Sequence, residues 1–599
     1  MNKAKSSNRE LLLKAALQKI PCDLTIENIQ LINVITGEIY PAEVDVFDGI
    51  IVRVRSPKEP LTLASLETFN GQQGFLLPGF IDSHMHVESS MMVPLHLSQA
   101  IVPWGTTAIC SDPHEIANVM GHKGVKFMLD NASLSSLRQY VLAPSCVPSV
   151  PGLESSGADF FAEDIAQILD MEGVIGIAEL MDFVNIIEHE ARMRDILEVG
   201  IERNTFLQGH APRLTGKALA AYRLAGPESD HESTTAIEVN EKLRNGFHVN
   251  MRVNSFVDNL DDLLEGVKDH QWLDFVSFCT DDVHAADLYQ YGHINRVVAT
   301  AIRAGMKPLV AIKLATINAA REFGFKDLGA IAPGYQADFQ IVENLSFEKA
   351  PMSVFVGGQQ VAKNGLYLRT NEQTTRVSFP NTVSIPQIES PKDFWLKAPE
   401  DLPRFEVAAL KPSPGGFLNE INWIELPVKN GHISIEGRCD MCFCAVINRY
   451  NNRKMSVCIL ENPQLKKGAY GSTVAHDSHN LVILYKDFED AYRVAKTLEK
   501  TGGGICVVED QKIKGLLELP AAGLMSPLPV KELSEQIEVT EQAVRTVCDN
   551  STSLLYAALF SLACLPGVVV TDYGIVDGAK QIIIEPFREV AQPHQDLSS

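Results

Sequence analysis

Two histidines, His84 and His86, stand at alternate positions in the segment PGFIDSHMHVE, residues 78–88. If residues 80–88 form a strand, Asp82 and Glu88 leave by the same face as both imidazoles. Neutral imidazole is a ligand for zinc, iron and manganese. An isolated His-x-His pair suits an ordinary strand as well as it suits a metal site. The metal interpretation therefore needs further ligands from elsewhere in the chain.

The composition is that of a large globular protein. Of 599 residues, 45% are hydrophobic and 21% charged, with no disordered signature. A net charge of −23 argues against a nucleic-acid partner, which would need clustered lysine and arginine. Neither a secretory core near the start nor an apolar run of about 18 residues is found, so we expect no membrane span. Eleven scattered cysteines are typical of reduced thiols, and we expect a cytoplasmic protein.

Short β-rich runs alternate with helical patterns through the first half of the chain. Strands that alternate with helices pair in parallel, and eight such units predict a (β/α)₈ barrel, a TIM-like α/β fold. The predicted strands are Leu76–Asp82, Thr106–Ser111, Tyr140–Pro144, Val174–Glu179, Thr205–His210, Gly226–His231, Phe247–Val253 and Leu273–Asp281. The predicted helices are Asn8–Ile20, Phe161–Met171, Ala191–Asn204, Thr234–Asn245, Asp258–Asp269, Asn295–Ala304 and Leu309–Phe323.

Both flanks of the barrel have β patterns that lack partners of their own. We expect them to combine into one small β domain, followed by a Pro- and Ser-rich linker and a C-terminal α/β or α+β domain. The predicted boundaries are 1–22 for an N-terminal helical segment, 23–75 and 326–378 for the two halves of the β domain, 76–325 for the barrel, 379–400 for the linker and 401–599 for the C-terminal domain.

The ends of the predicted strands carry metal-ligand or proton-transfer residues. In a barrel of this type the carboxyl ends of the strands form the active face. A single histidine there is more often structural, but six strand ends that agree predict a site. These residues are His84 and His86, Asp112 to Glu115, Glu179, His210, His231, and Asp281 with Asp282.

Taken together, these motifs resemble the metal-dependent amidohydrolase superfamily and, within it, the family of bacterial adenine deaminases. The resemblance covers nearly the whole chain. Its motifs include HVESSM at 86–91, GTT at 105–107, DPHEIANVMG at 112–121, SCVPS at 145–149, GHAP at 209–212, SDHE at 229–232 and TDD at 280–282. In the C-terminal third they are GSTVAHDSHN at 471–480 and AGLMS at 522–526.

The resemblance implies hydrolytic deamination of adenine to hypoxanthine and ammonia, in purine salvage. It assigns His84, His86 and Asp281 to one divalent metal and His210 and His231 to a second, with Glu179 between them. Manganese or iron(II) is expected, and zinc is an alternative. A hydroxide generated there would attack C6 of the purine. Asp281 would act first as base and then as acid, so Asp281 and Glu179 are the predicted catalytic residues.

The partner implied is a small-molecule purine base, bound by a homo-oligomer, specifically a dimer. The predicted substrate-binding residues are Glu88, Ser89, Ser90, Asp112, His114, Glu115, Asp282, His476 and His479. An alternative for the second-strand motif is an ordinary helix start, with Asp112 and Pro113 as its cap.

One motif departs from the family pattern. On the seventh strand, MRVNS at 251–255 stands where the family has Ile-Arg-Glu-Gly-Ser, and the loss of this carboxylate is expected to alter substrate contacts or rate.

The same scaffold is compatible with functions other than deamination of adenine. A different purine or a cyclic amide, as in dihydroorotases and hydantoinases, is an alternative substrate, although residues 173–179 lack the bridging lysine common in such enzymes. A catalytically inactive scaffold is another alternative. Cytidine-type zinc deaminases have H-x-E and C-x-x-C motifs, which residues 86–88 and Cys439 to Cys442 match. We interpret that match as coincidental because its halves fall in different predicted domains.

Overall fold

The computed structural model describes residues 6–255, 259–369, 379–412, 419–563 and 567–589. A short helix and five strands precede the barrel. They are α1 (Ser6–Ala16), β1 (Leu24–Asn33), β2 (Glu38–Phe47), β3 (Ile50–Arg55), β4 (Glu67–Asn70) and β5 (Phe75–Pro78).

The barrel strands are short and buried on both faces, as expected for parallel strands covered by helices. They are β6 (Phe80–Met85), β7 (Thr106–Ser111), β8 (Arg138–Ala143), β9 (Val174–Leu180), β10 (Phe206–Gly209), β11 (Ser229–Asp230), β12 (His248–Arg252) and β13 (Val276–Cys279). The helices of this region are α2 (Pro94–Ile101), α3 (His114–Met120), α4 (His122–Ala132), α5 (Ala162–Leu169), α6 (Phe183–Ile187), α7 (Ala191–Glu202), α8 (Gly216–Ala225), α9 (Ala236–Arg244), α10 (Leu260–Glu265), α11 (Ala285–Tyr291), α12 (Ile294–Arg303), α13 (Pro308–Lys313) and α14 (Ala319–Glu322).

Two parallel sheets make up the barrel, one in the order β10-β9-β8-β7-β6 and the other β11-β12-β13. A parallel bridge between Met85 and Asp281 joins them on one side. On the other side the Glu228 N–H donates to the Leu207 carbonyl. The barrel fold expected from the sequence is confirmed, and its closure seam brings the first and eighth strands together.

Several predicted strand boundaries were wrong. The run from Leu76 to Asp82 spans two strands, because β5 belongs to another sheet and the barrel begins at Phe80. Gly79 lies between them, where a Cβ atom would overlap the Thr107 side chain. The first strand ends at Met85, so Glu88 lies in a 3₁₀ turn and not on the strand face that carries His84. The sixth strand is reduced to two residues.

Predicted helices also changed. The helix expected over Leu309–Phe323 is α13 and α14 separated by a π-helical turn at Leu314–Asn318. The helix expected over Asp258–Asp269 is shorter in the described residues, and Asp258 lies outside them.

One sheet combines strands from both flanks of the barrel. Its later strands are β14 (Phe339–Val342), β15 (Ser353–Val356), β16 (Gln359–Lys363) and β17 (Leu366–Tyr367). Their order with the earlier strands is β17-β16-β15-β14-β5-β1-β2-β3, with β4 beside β1. Residues 370–378, within the predicted second half of this domain, lie outside the described part of the chain.

The C-terminal domain is α+β, built on a mostly antiparallel sheet. Its elements are β18 (Arg404–Pro412), β19 (Asn419–Lys429), β20 (His432–Ile433), β21 (Met441–Ile447), β22 (Met455–Glu461), β23 (Ala469–Ser472), β24 (Leu481–Tyr485), α15 (Phe488–Thr501), β25 (Gly504–Glu509), β26 (Lys512–Glu518), α16 (Val530–Val547), β27 (Val568–Thr571), β28 (Gly574–Asp577), β29 (Ile582–Ile584) and β30 (Phe587–Arg588). The passage predicted as a linker buries Val383, Ile385 and Phe394 in this domain's core.

The barrel and the C-terminal domain share one apolar core. Met85, Met92 and Leu97 from the barrel belong to the same buried cluster as Leu484 and Leu533. The Ser526 N–H also donates to the Met91 carbonyl. The loop that follows the first barrel strand is therefore packed between the two domains.

Candidate active site

Three donor atoms converge where the first and eighth strands meet. His84 Nε2 lies 3.2 Å from His86 Nε2, and Asp281 Oδ1 lies 3.4 and 3.3 Å from these nitrogens. The backbone sets this convergence, since the Asp281 N–H donates to the His84 carbonyl and the His86 N–H to the Asp281 carbonyl. Asp281 itself has a positive φ of 59°, a strained conformation held by those two bonds.

A second group of donors surrounds Glu179 at the end of β9. Glu179 Oε2 lies 2.5 Å from His210 Nδ1 and 3.1 Å from His231 Nε2. Its other oxygen, Oε1, lies 3.3 Å from His86 Nε2. The carboxylate thus stands between the two groups, with one oxygen toward each.

These donors fit divalent metal ions. Ligand atoms about 2.1 Å from a shared ion lie roughly 3.0 to 3.4 Å apart in octahedral or tetrahedral geometry. The Nδ1–H of His84 donates to Gln208 Oε1 and that of His86 to the Asp112 carbonyl, at 3.0 and 3.1 Å. The two Nε2 lone pairs therefore face each other, an arrangement that repels unless a cation lies between them.

Charged neighbours keep both carboxylates ionised. Burial would raise the pKa of Asp281, but the Arg252 guanidinium and the adjacent histidines hold it well below its usual range. Arg252 Nη1 lies 2.7 Å from Asp281 Oδ2, and Asn254 Nδ2 lies 3.3 Å from the same oxygen. In the same way His210 outweighs burial and lowers the pKa of Glu179.

The second-strand motif lies beside the metal donors. His114 Nδ1 is 3.0 Å from Asp112 Oδ2 and 3.4 Å from Glu179 Oε1. Asp112 Oδ1 also accepts the N–H of His114, the first residue of α3. Asp112 thus contacts the backbone at the start of α3 with one carboxylate oxygen and the His114 ring with the other. On its far side, His114 Nε2 lies 3.5 Å from Asp477 Oδ1 of the C-terminal domain.

Five of the other predicted substrate-binding residues form a second cluster, namely Ser89, Glu115, Asp282, His476 and His479. Ser89 Oγ is 3.0 Å from Glu115 Oε1 and 2.5 Å from Asp282 Oδ1, and His476 Nδ1 is 3.2 Å from Glu115 Oε1. His479 Nε2 lies 3.9 Å from Glu115 Oε2. Both histidines come from the C-terminal domain.

Two residues of the first-strand loop have backbone contacts. Glu88 Oε1 accepts the Ile116 N–H, and burial together with the charge of Glu115 raises the pKa of Glu88 to about 8. Ser90 Oγ donates to the Val87 carbonyl, so this hydroxyl supports the turn and is not directed at the cluster.

Comparison with known proteins identifies the family. Residues 75–361 match the amidohydrolase family, and residues 418–581 match the adenine deaminase C-terminal domain. Adenine deaminase 2 of Carboxydothermus hydrogenoformans is 38% identical over 570 residues, covering 94% of this chain and 97% of that protein. The chain belongs to the adenine deaminase family. Two further relatives named adenine deaminase, from Desulfatibacillum aliphaticivorans and Thermosipho africanus, are 34% and 32% identical, covering 94% and 97% of this chain and 97% and 99% of their own lengths.

The seventh-strand departure from the adenine deaminase family pattern has two different consequences. Val253 is 1% exposed and packs in an apolar cluster with Met251 and Leu260, away from the metal donors. Asn254, which stands where the family motif has glycine, adds an amide beside Asp281.

Sequence reasoning missed several residues that contact the site. Arg252 and Glu232 form an ion pair beside Asp281, and both were within motifs singled out from the sequence. Gln208 and Asp477 reach His84 and His114 across more than 100 residues of chain. Asp477 lies within the motif at 471–480, but nothing in the sequence indicates its contact with His114 or that of Gln208 with His84.

The cytidine-type zinc signature is not assembled. Among the described residues, the groups that could hold a metal contain histidine and carboxylates but no cysteine. Cys439 is exposed, and Cys442 is buried in the C-terminal sheet. None of the helices in the described part of the chain has the length and apolarity needed to cross a membrane.

Proposed function

We propose that this protein hydrolyses adenine to hypoxanthine and ammonia, as a step in purine salvage. The observation that carries the proposal is the position of Glu179, one oxygen facing His86 and the other facing His210 and His231. That arrangement suits two metal ions bridged by one carboxylate, in a chain whose relatives over nearly their full length are named adenine deaminases.

Five side chains would hold the two metal ions together with the bridging Glu179. His84, His86 and Asp281 would bind one ion, and His210 and His231 the other. When bound, the ions would lower the pKa of a shared water toward neutrality. The donors are nitrogen and oxygen without thiolate, a set that accepts manganese, iron(II) or zinc, and the family resemblance favours the first two.

Asp281 is placed to move the protons of the reaction. Its Oδ1 faces the donor groups, while Arg252 and Asn254 anchor Oδ2. Water adds to C6 of the purine as Asp281 takes one of its protons, and the electron pair of the C6=N1 bond moves onto N1. Asp281 then returns that proton to the amine, the pair on N1 re-forms the C6=N1 bond as the C6–N bond to the amine breaks, and ammonia leaves. Transfer of the remaining hydroxyl proton to N1 gives hypoxanthine.

The predicted substrate-binding residues divide into two sets. Asp112 and His114 lie against Glu179, next to the reacting atoms. Ser89, Glu115 and Asp282 form the cluster that the C-terminal histidines complete. The purine would lie between the two sets, with Glu88 and Ser90 supporting the loop.

Turnover of adenine by purified protein tests the proposal. Protein loaded with manganese or iron(II) should release ammonia from adenine, together with the ultraviolet absorbance change of the purine ring. Dihydroorotate, hydantoin and other aminopurines serve as the comparison panel. Failure with adenine under both metals, together with turnover of another purine or a cyclic amide, would replace the proposal. No turnover and no stoichiometric metal would instead indicate an inactive scaffold.

The homodimer and the cytoplasmic location stay predictions. Light scattering during gel filtration measures the mass of the assembly, and a mass near twice that of one chain would support the dimer.

A further inference from the structure

Several buried polar atoms around Glu115 lack a hydrogen-bond partner among the described residues. Two of them, His479 Nε2 and Glu115 Oε2, lie 3.9 Å apart. Both side chains are 0% exposed. Buried polar atoms are nearly always paired in native proteins, so this pair indicates a place for a bound polar molecule.

The surroundings of His479 fix which ring nitrogen carries the proton. The Ala475 N–H donates to His479 Nδ1 at 3.2 Å, so the ring proton is on Nε2. Burial lowers the pKa of His479 to about 3, which keeps the imidazole neutral. His479 Nε2 is therefore a donor and cannot be a metal ligand, although Glu115, His476 and His479 are close enough together to suggest a third ion.

Arg449 fixes the backbone of His479 by a hydrogen bond to its carbonyl. This side chain is itself 0% exposed, and its Nη1 donates to the His479 carbonyl at 3.2 Å. Its Nη2 donates to the Ala522 carbonyl at 2.6 Å. The donor at His479 is thus carried on a fixed loop of the C-terminal domain.

Glu115 supplies the matching acceptor. Its Oε1 already accepts from His476 Nδ1 at 3.2 Å and lies 3.0 Å from Ser89 Oγ. Burial alone would raise the pKa of Glu115, but the charge of His476 outweighs it and lowers the pKa. The remaining oxygen, Oε2, is a carboxylate acceptor beside the His479 donor.

We propose that His479 and Glu115 together bind the N3/N9 edge of the free purine base, an assignment that rests on the proposed function. His479 Nε2–H donates to N3, and Glu115 Oε2 accepts the N9–H. On this edge of adenine a lone pair and an N–H point in the same direction, as the two protein atoms require. The edge is also remote from C6, which must face the metal donors.

Two substrate analogues each remove one of the two proposed hydrogen bonds. 3-Deazaadenine lacks the N3 acceptor, and 9-methyladenine lacks the N9–H. The wild-type kcat/KM for each should fall about 100-fold or more relative to adenine, because a buried protein group is left unpaired. If the metal-loaded protein binds adenine without turnover, calorimetric affinities for adenine and the two analogues should show the same order.

A cycle with protein variants separates recognition from the altered reactivity of the analogue. In His479→Leu the kcat/KM for adenine should fall. The ratio of kcat/KM for adenine to kcat/KM for 3-deazaadenine should therefore shrink to within about threefold. His479→Gln, which retains a donor, should recover part of the ratio. Glu115→Gln should reduce the discrimination against 9-methyladenine and leave that against 3-deazaadenine. Metal content and melting temperature identify variants that fail to fold.

The proposal is overturned if the ratio for 3-deazaadenine is the same in wild type and His479→Leu, or if wild type accepts 9-methyladenine as well as adenine. Either result is distinguishable from failure of the proposed function, because in that failure the wild-type protein does not deaminate adenine at all. In that case the calorimetric cycle still decides whether the two residues bind this edge.

Discussion

The ammonium nitrogen of Lys242 lies 2.7 Å from Oδ2 of Asp230, and neither side chain reaches solvent. Asp230 Oδ1 accepts the N–H of Ala211 at 2.9 Å. Ala211 follows His210, and Asp230 precedes His231. The buried ion pair therefore ties together the two strand ends that carry the proposed ligands of one metal ion.

Loss of the lysine is predicted to destabilise the barrel and weaken metal binding. In Lys242→Met, Asp230 is left as a buried charge without its partner, at a cost of about 3 to 5 kcal/mol. Lys217→Met, at an exposed position of α8, should change stability by no more than about 0.5 kcal/mol. The guanidinium unfolding midpoint and metal content measure both effects. Equal midpoints for the two variants would show that the pair has no such role.

Gln208 is predicted to tune the metal affinity of His84. Its Oε1 accepts the His84 Nδ1–H and so leaves Nε2 available for a metal ion. Gln208→Leu should weaken metal binding about 10- to 100-fold, as measured by competition with a chelator. Gln139→Leu is the matched control, because Gln139 lies on β8 and donates to Ser111 Oγ. Unchanged affinity in Gln208→Leu would mean that the histidine is oriented by other contacts.

Glu322 is predicted to make stability depend on pH. Burial raises its pKa to about 8, although Asn250 and Ser277 donate to it. The folded protein therefore retains a proton that the unfolded chain loses above about pH 4.3, so stability falls as pH rises from about 4 to 8, by about 4 kcal/mol near pH 7. Glu322→Gln removes this effect.

In Glu322→Gln the new side-chain amide has a hydrogen-bond acceptor nearby. His248 Nε2 lies 3.4 Å from Glu322 Oε2, and burial lowers the pKa of His248 to about 3. The neutral imidazole can accept from a glutamine amide. Unfolding midpoints should therefore favour Glu322→Gln at pH 8 and converge with wild type near pH 4, whereas exposed Glu343→Gln should follow wild type throughout. A constant difference between wild type and Glu322→Gln would exclude the linkage.

Restoring the family's carboxylate at the seventh strand is predicted to be harmful. Val253 is buried in an apolar cluster, and an isolated carboxyl group there lacks hydrogen-bond partners and costs about 2 kcal/mol or more. Val253→Glu should lower the melting temperature without raising turnover of adenine, while Val253→Ile should retain both within a small margin. A stable and faster Val253→Glu would show instead that this position faces the substrate.

The barrel was predictable because its strands and helices alternate with clear periodicity. Strand boundaries were harder to predict. The apolar run at Leu76–Asp82 is continuous in sequence, but the residues before and after Gly79 belong to strands of two different sheets. The two-residue strand at Ser229 is too short for any periodic signal. In both cases tertiary contacts decide the ends of the elements.

The candidate site was partly predictable, for a similar reason. Histidines and carboxylates at strand ends are visible as residue types in a recurring position, and the structure brings His84, His86 and Asp281 together. The supporting contacts of Gln208 and Asp477 depend on packing between distant segments. A C-terminal contribution through His476 and His479 was expected from the sequence, whereas the contact of Asp477 with His114 is visible only in the folded chain.

Metal content measured beside adenine turnover tests the central claim most directly. Wild type purified with manganese should hold two equivalents per chain and deaminate adenine. Glu179→Gln should hold fewer than two and lose turnover about 100-fold or more, while exposed Glu188→Gln should match wild type. A Glu179→Gln variant that retains two metal ions and full turnover would contradict the bridging role of Glu179.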